Sequence, residues 1–329
     1  MVTLAHAISR CMPQPLSNWL RPKWYWTREY CLLRFSEGGN TRYDSELLCR
    51  VVRKPVGNTY FEAPYRSYRE FRRIVNFGRN PDDLVFIWLN AISDCETLYD
   101  IGAANGHEGL VANALHQCRI VYVELFTPSI DSILKGTVLA QRRGATADQF
   151  EVVAAGCDRK EGYAKVLLHQ PPIPGGTNNT FADVDAYCRG GRADERVWAS
   201  QWSPSVTIDA LHGQHHVPKP THIKMDIDGF EDRAIEGACE TLKSRCVKSW
   251  IIEVNPGRGE MIADAMTKNG YKDIAQFVHY PGLDDAIDHL YVRDDLVADY
   301  ERRLAETSQR LFGKNTYDKQ PTLRCAAQD

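Results

Sequence analysis

The sequence predicts an α/β fold: a mostly parallel sheet with helices on both faces, closed by an antiparallel hairpin. Three observations point there. From Leu98 onward, short apolar strands alternate with longer helix-compatible stretches, the pattern of β-α-β units. The first strand, Leu98-Tyr99-Asp100-Ile101, runs into a glycine-bounded turn, Gly102-Ala103-Ala104-Asn105-Gly106, and then into a helical stretch from His107 to Leu115. Near the far end, two strand-like runs, Ile274 to Tyr280 and His289 to Arg293, flank a Pro281-Gly282 turn.

The turn narrows the ligand. Strand-to-helix junctions bind nucleotide-like ligands because free N–H groups at the helix start face them. Gly102 takes backbone angles closed to other residues, and Gly106 lets backbone and ligand approach closely. The spacing Gly-x-x-x-Gly is not that of a dinucleotide site, and no Lys-Ser or Lys-Thr follows as in a phosphate-cradling loop. Asp100, just before the turn, would repel a pyrophosphate but suits ammonium and sulfonium charge. A second strand, Ile120-Val121-Tyr122-Val123, ends in Glu124, where a carboxylate accepts hydrogen bonds from ribose hydroxyls. An adenosine with a positively charged tail fits both acids better than NAD does.

Elsewhere the elements read in order. Trp19 to Phe35 mixes aromatic and basic residues and reads as a small cap. Between Tyr65 and Val75, apolar residues recur at helical spacing while Arg66, Arg69 and Arg73 fall on another side, a solvated face or a docking face for an anionic substrate. Asn80-Pro81-Asp82-Asp83 starts a helix whose run Leu84–Leu89 is too apolar to face water. Pro128 to Gly144 reads as a helix and Phe150 to Ala155 as a third strand, followed by Cys157-Asp158. From Gln170 to Pro204 prolines, glycines, Trp198 and Trp202 break the pattern, as a lid over an acceptor would. Ile223-Lys224-Met225-Asp226-Ile227 is a strand neighbouring the first, with Asp226 at its tip, and a helix with Glu231 in its first turn follows Gly229. Trp250 to Pro256 is a further strand carrying Glu253, followed by a helix from Gly259 to Asn269. A charged amphipathic helix from Asp294 to Phe312 precedes a loose tail.

Three blocks in this order resemble a known family. Asp100-Ile-Gly-Ala-Ala-Asn-Gly106 is similar to the Asp-Val-Gly-Ala-Asn-x-Gly opening of the FkbM family of S-adenosylmethionine-dependent methyltransferases. Val206-Thr207-Ile208-Asp209-Ala210-Leu211 resembles its Thr-Leu-Asp-x-Leu strand, and Ile223 to Glu231 its Ile-Lys-Ile-Asp-Val-Glu-Gly-x-Glu block. The chain departs from the pattern at Ala104-Asn105 and at Asp228, where Glu is usual. The resemblance spans Leu98 to Arg293. It implies a Rossmann-like class I methyltransferase fold with a mostly parallel seven-stranded sheet. The antiparallel hairpin is characteristic of that class. Implied domains are an N-terminal extension or cap over 1–80, the methyltransferase domain over 81–293, and a helix with a loose tail over 294–329.

The resemblance implies S-adenosylmethionine as cofactor, held by Asp100, Gly102, Ala103, Asn105, Gly106 and Glu124, with Asp158 on the adenine amino group. It implies methyl transfer to a hydroxyl of a sugar, glycan or related small molecule. An alcohol needs a base, and Asp226 is the candidate, with Glu231 beside it. No metal is assigned; the alternative is Mg²⁺ at Asp226 and Glu253, with Asn255 or Asp228. Asp226-Ile227-Asp228-Gly229 replaces the Asp/Asn-Pro-Pro-Tyr/Phe motif that holds a flipped base, so no nucleic-acid partner is expected. The competing readings are an NAD-dependent oxidoreductase and a non-catalytic nucleotide-binding scaffold.

Composition agrees with a globular chain of 329 residues and formal net charge −3, which gives no global pull toward nucleic acid or anionic membrane. Ten scattered cysteines without a Cys-x-x-Cys read as reduced thiols, and no stretch has the apolar length of a membrane span, so a cytoplasmic protein is expected.

Overall fold

The computed structural model describes residues 40–169, 173–175, 180–181, 197–278 and 286–313. The expectations for Trp19 to Phe35, most of the 170–204 connection, the Pro281-Gly282 turn and the tail beyond Gly313 lie outside the described residues.

A small antiparallel sheet absent from the sequence reading comes first: β1 (Thr41–Asp44), β2 (Cys49–Val56) and β3 (Thr59–Tyr65). Its signal is Gly57-Asn58, a two-residue hairpin turn between runs rich in Val, Tyr and Phe. Then α1 (Tyr68–Asn76) starts at Ser67, whose side chain accepts from the Glu70 N–H, and buries Phe71 and Ile74 as the spacing predicts. Asp83 caps α2 (Leu84–Ala91), which is buried on every side because it has no polar face.

The alternating units follow: β4 (Thr97–Ile101), α3 (His107–His116), β5 (Arg119–Val123), α4 (Thr127–Gln141) and β6 (Phe150–Val153). A second sheet, in the order β7-β10-β8-β9, gathers β7 (Gly156–Cys157), β8 (Gly162–Leu168), β9 (Thr180–Phe181) and β10 (Ala199–Val206). Trp202 stands exposed on β10. The chain continues through α5 (Ile208–Gly213), β11 (His222–Met225), α6 (Glu231–Glu236), α7 (Cys239–Ser244), β12 (Ser249–Val254) and α8 (Gly259–Lys268). It closes with β13 (Tyr271–Val278), β14 (Ile287–Arg293) and α9 (Val297–Phe312). The strand expected over Val206 to Leu211 is corrected: only Val206 belongs to a strand, because the Thr207 side chain accepts from the Ala210 N–H and starts α5 there.

The main sheet has seven strands in the order β13-β14-β12-β11-β4-β5-β6, with β14 alone antiparallel to its neighbours. This is the mostly parallel seven-stranded sheet, closed by an antiparallel strand pair, that is expected from the sequence. Side chains alternate across it. Leu98, Ile120, Tyr122 and Leu290 pack toward α2, α3, α4 and α9, while Tyr99, Ile101, Val121 and Met225 pack toward α5 to α8. Val52, Phe61, Ala63 and Tyr65 join the first of these cores, so the apolar packing runs without a break across residue 80. The chain leaves β4 for β5 on one side and returns to β11 on the other, which opens a crevice at the carboxyl ends of these three strands.

Candidate active site

A cavity of about 600 Å³ fills that crevice, well within the usual size of small-molecule sites. Its floor is the turn after β4, with Gly102 and Ala104; its sides are the tips of β5 and β11, and α1 forms the wall above. Six carboxylates line it (Asp83, Glu108, Glu124, Asp226, Asp228 and Asp288) against three cations, Arg72, Arg73 and Lys224. The excess of negative charge favours a cationic ligand.

Gly102 is required by the protein itself. Its φ is +73°, and a Cβ there would lie 1.8 Å from the Asp226 carbonyl oxygen. The donor-side turn is thus seated against the main chain at the tip of β11. Gly106 is outside the cavity lining, and a Cβ there would approach Ile133 and Tyr122 to 3.0 and 3.2 Å. Ala103 is fully buried and Asn105 turns inward, its Oδ1 2.9 Å from His107 Nδ1, so these two also support the turn from behind. Asn105 Nδ2 is buried without a hydrogen-bond partner. His107 lines the cavity, and burial lowers its pKa to about 4, which keeps the ring neutral at pH 7.

Glu124 sits where the ribose-binding acid is expected. Its Oε2 accepts from Ala104 N–H at 2.7 Å and its Oε1 from Leu125 and Phe126 N–H, each at 2.8 Å. Burial raises its pKa against those three bonds. A carboxylate has about four acceptor sites, so one remains for a ligand. Asp100 lies beneath the floor, fully buried. Burial pushes its pKa up to about 7, against the pull of Lys224 Nζ 3.6 Å away.

Lys224, for which the sequence offers no more than a pairing with a neighbouring acid, is the hub of the site. It pairs with Asp100 across the parallel β4–β11 register, which places both side chains on one face. Its ammonium stands 3.2 Å from Glu108, 3.6 Å from Asp100 and 3.7 Å from Asp226, and donates to the Gly102 carbonyl at 3.3 Å. Burial works against its charge, yet the three carboxylates raise its pKa well above the ordinary lysine range. Its sequence signal is a lysine between Ile223 and Met225, at the lysine position of the Ile-Lys-Ile-Asp block.

Asp226 opens onto the cavity at the tip of β11. Glu253, on the neighbouring strand, has its pKa pushed up to about 11, first by the Asp226 charge and then by burial, and hydrogen-bonds to Asp226. The raised value means that the pair retains a proton that two isolated carboxylates would lose. Among the described residues no group of three His, Cys, Asp or Glu side chains is placed to hold a metal ion.

Two expected contacts are corrected. Glu231 does not line the cavity: it is fully buried, and its Oε1 accepts from Ile227 N–H at 2.9 Å and Gly229 N–H at 3.2 Å. It shapes the loop that carries Asp226 and Asp228, because its helix begins directly after that loop. Asp158 does not line it either, being held by Arg233 Nε and Nη2, both at 2.7 Å. Arg233 lies 75 residues away in sequence, so nothing local reveals the pairing. Cys157, one residue earlier, faces the cavity instead.

Burial raises the Glu231 pKa to about 7, above its unfolded value, so the folded state binds the extra proton. Its contribution is favourable at low pH and is lost as pH rises through about 7. Glu231→Gln keeps the acceptor oxygen without the charge. Its stability deficit against wild type is expected to shrink from pH 5 to pH 8, read from urea midpoints, and a constant deficit would contradict the assignment.

No family model matches this chain, and no curated protein matches it. Among solved structures it is similar to methyltransferase FkbM from Methylobacillus flagellatus KT, at 18% identity and TM-score 0.39, over 60% of this chain and 44% of that one. The chain therefore spans less than half the length of that protein. It is also similar to magnesium protoporphyrin IX methyltransferase from Synechocystis PCC 6803, at 11% identity and TM-score 0.37, over 70% of this chain and 85% of that one. A third similarity is to Sp1610 of Streptococcus pneumoniae, a putative tRNA (m1A22) methyltransferase, at 10% identity and TM-score 0.36, over 68% and 79% of the two chains. No helix of the described residues is long and apolar enough to cross a membrane.

Proposed function

We propose that this protein is an S-adenosylmethionine-dependent O-methyltransferase of the FkbM type, acting on a hydroxyl of a sugar, glycan or related small molecule. The observation that carries the reading is the acid-lined cavity at the carboxyl ends of β4, β5 and β11. There Glu124 keeps acceptor capacity at the tip of β5, and Asp226 opens onto the cavity with Glu253 hydrogen-bonded to it. Bound S-adenosylmethionine supplies an electrophilic methyl group on a sulfonium. Gly102, Ala104 and Glu124 would hold its adenosyl part and Glu108 would face its cationic end, while Asp100, expected there, lies under the turn and outside the cavity lining. Asp226 orients the acceptor hydroxyl and accepts its proton as the oxygen attacks. Fixing acceptor and methyl group in line can contribute about 7–11 kcal/mol.

Titration calorimetry with S-adenosylmethionine and with NAD tests the donor, and binding of NAD alone would favour an oxidoreductase. Tritiated-methyl transfer into fractionated extract, with sugar, glycan, metabolite and RNA pools separated, identifies the acceptor. Label in RNA would overturn the acceptor class, and donor binding without label in any pool would favour a scaffold. Asp226→Asn is expected to lower turnover about 10²- to 10⁴-fold, the usual worth of a positioned base, while donor affinity stays within about twofold. Near-normal turnover would remove Asp226 from the chemistry.

A further inference from the structure

The part of the cavity wall on α1 carries two cations. Arg72 and Arg73 stand four and three residues before Asn76 on α1, and all three line the cavity together with Asn80. Among the described residues, neither the Arg72 nor the Arg73 guanidinium has a hydrogen-bonded or ion-paired partner. Arg66, just before the helix, by contrast has partners: it donates to the Pro128 carbonyl at 2.6 Å and Ser132 Oγ at 3.0 Å, and pairs with Asp131.

The helix that carries the two arginines is firmly seated. Its start is capped by Ser67, and the buried Glu70 carboxylate accepts from Arg66 N–H and Ser132 Oγ–H. At its other end the Lys54 ammonium donates to the carbonyls of Ile74, Val75 and Phe77. Phe77 packs edge-on against His107 on the cavity floor, with centroids 4.8 Å apart. Two guanidinium groups on a fixed frame are pre-organised for bidentate recognition of a carboxylate or phosphate.

We propose that Arg72 and Arg73 bind an anionic group, a carboxylate or a phosphate, carried by the ligand that completes this site. The cavity is bipolar: the acids around Lys224 face a cationic centre and the α1 wall faces an anion. The anion belongs either to the acceptor or to the amino-acid end of the donor. Only that choice of source rests on the methyltransferase reading; the anion site itself does not.

The test uses the full chain, wild type and Arg72→Gln/Arg73→Gln, with Arg72→Lys/Arg73→Lys as the variant that keeps the charge. Calorimetry measures inorganic pyrophosphate with and without saturating S-adenosylhomocysteine, and separately S-adenosylhomocysteine and 5′-methylthioadenosine, which lacks the carboxylate. An acceptor anion is expected to show as pyrophosphate binding to the loaded protein that falls tenfold or more in the Gln variant and is partly kept in the Lys variant, with S-adenosylhomocysteine affinity unchanged. A donor anion shows as a tenfold or greater loss for S-adenosylhomocysteine with none for 5′-methylthioadenosine. If the Gln variant changes neither affinity, the inference is overturned. Wild-type protein that binds pyrophosphate through these arginines but not S-adenosylhomocysteine would defeat the methyltransferase reading and leave the anion site standing.

Discussion

Gly102→Ala is expected to unfold or severely loosen the protein. The added carbon would sit 1.8 Å from the Asp226 carbonyl oxygen, a main-chain atom with no rotamer to escape into. A left-handed backbone costs a residue with a side chain about 1–3 kcal/mol, and forcing apart packed main chains costs about 1–3 kcal/mol more. A loss of roughly 2–6 kcal/mol is comparable to a large part of a domain's stability. The matched control is Gly106→Ala, whose nearest contacts are the side chains of Ile133 and Tyr122. Those can give way, so its deficit should be the smaller of the two. Urea midpoints decide the matter, and a wild-type midpoint for Gly102→Ala would show that the tip of β11 does not rest on this turn.

Lys224→Met is the second large effect. Among the described residues it removes the cation paired with Asp100, Glu108 and Asp226, leaving Asp100 fully buried without an ionic partner. Breaking a buried ion pair from one side costs about 3–5 kcal/mol. The sign with pH follows from Asp100, whose folded-state pKa is already raised to about 7 by burial. Removing the ammonium raises it further, so the folded variant takes up protons that the unfolded chain does not. Its stability is then greatest in acid and declines as pH rises, so the deficit against wild type should widen from pH 5.5 to pH 8. A deficit independent of pH would mean that the lysine acts by packing alone.

The sequence disclosed the parts of this site that are local in the chain. The apolar run into Asp100, the glycine turn and the helix after it are contiguous, and Glu124 follows at the tip of the next strand. Roles that depend on a distant partner stayed hidden. Asp158 reads as a ligand contact until Arg233 is seen to hold it, and Glu231 reads as a reacting acid until the Ile227 and Gly229 N–H groups are seen to hold it. Lys224 shows the same limit in reverse: its importance comes from the β4–β11 register, which no single strand contains. The β1–β3 sheet had a legible signal at Gly57-Asn58. Its place beside the main sheet depends on Val52, Phe61 and Tyr65 joining a core built from much later residues.

The pairing of Phe277 with Asp288 across β13 and β14 puts two more residues on the cavity wall. Arg72, early in the described chain, thus shares one chamber with Asp288, near its end. During biosynthesis the chamber stays incomplete until that hairpin has emerged and docked on β12. Such late, long-range closure slows folding, and it leaves the acid-rich crevice without its last wall while most of the chain is already made.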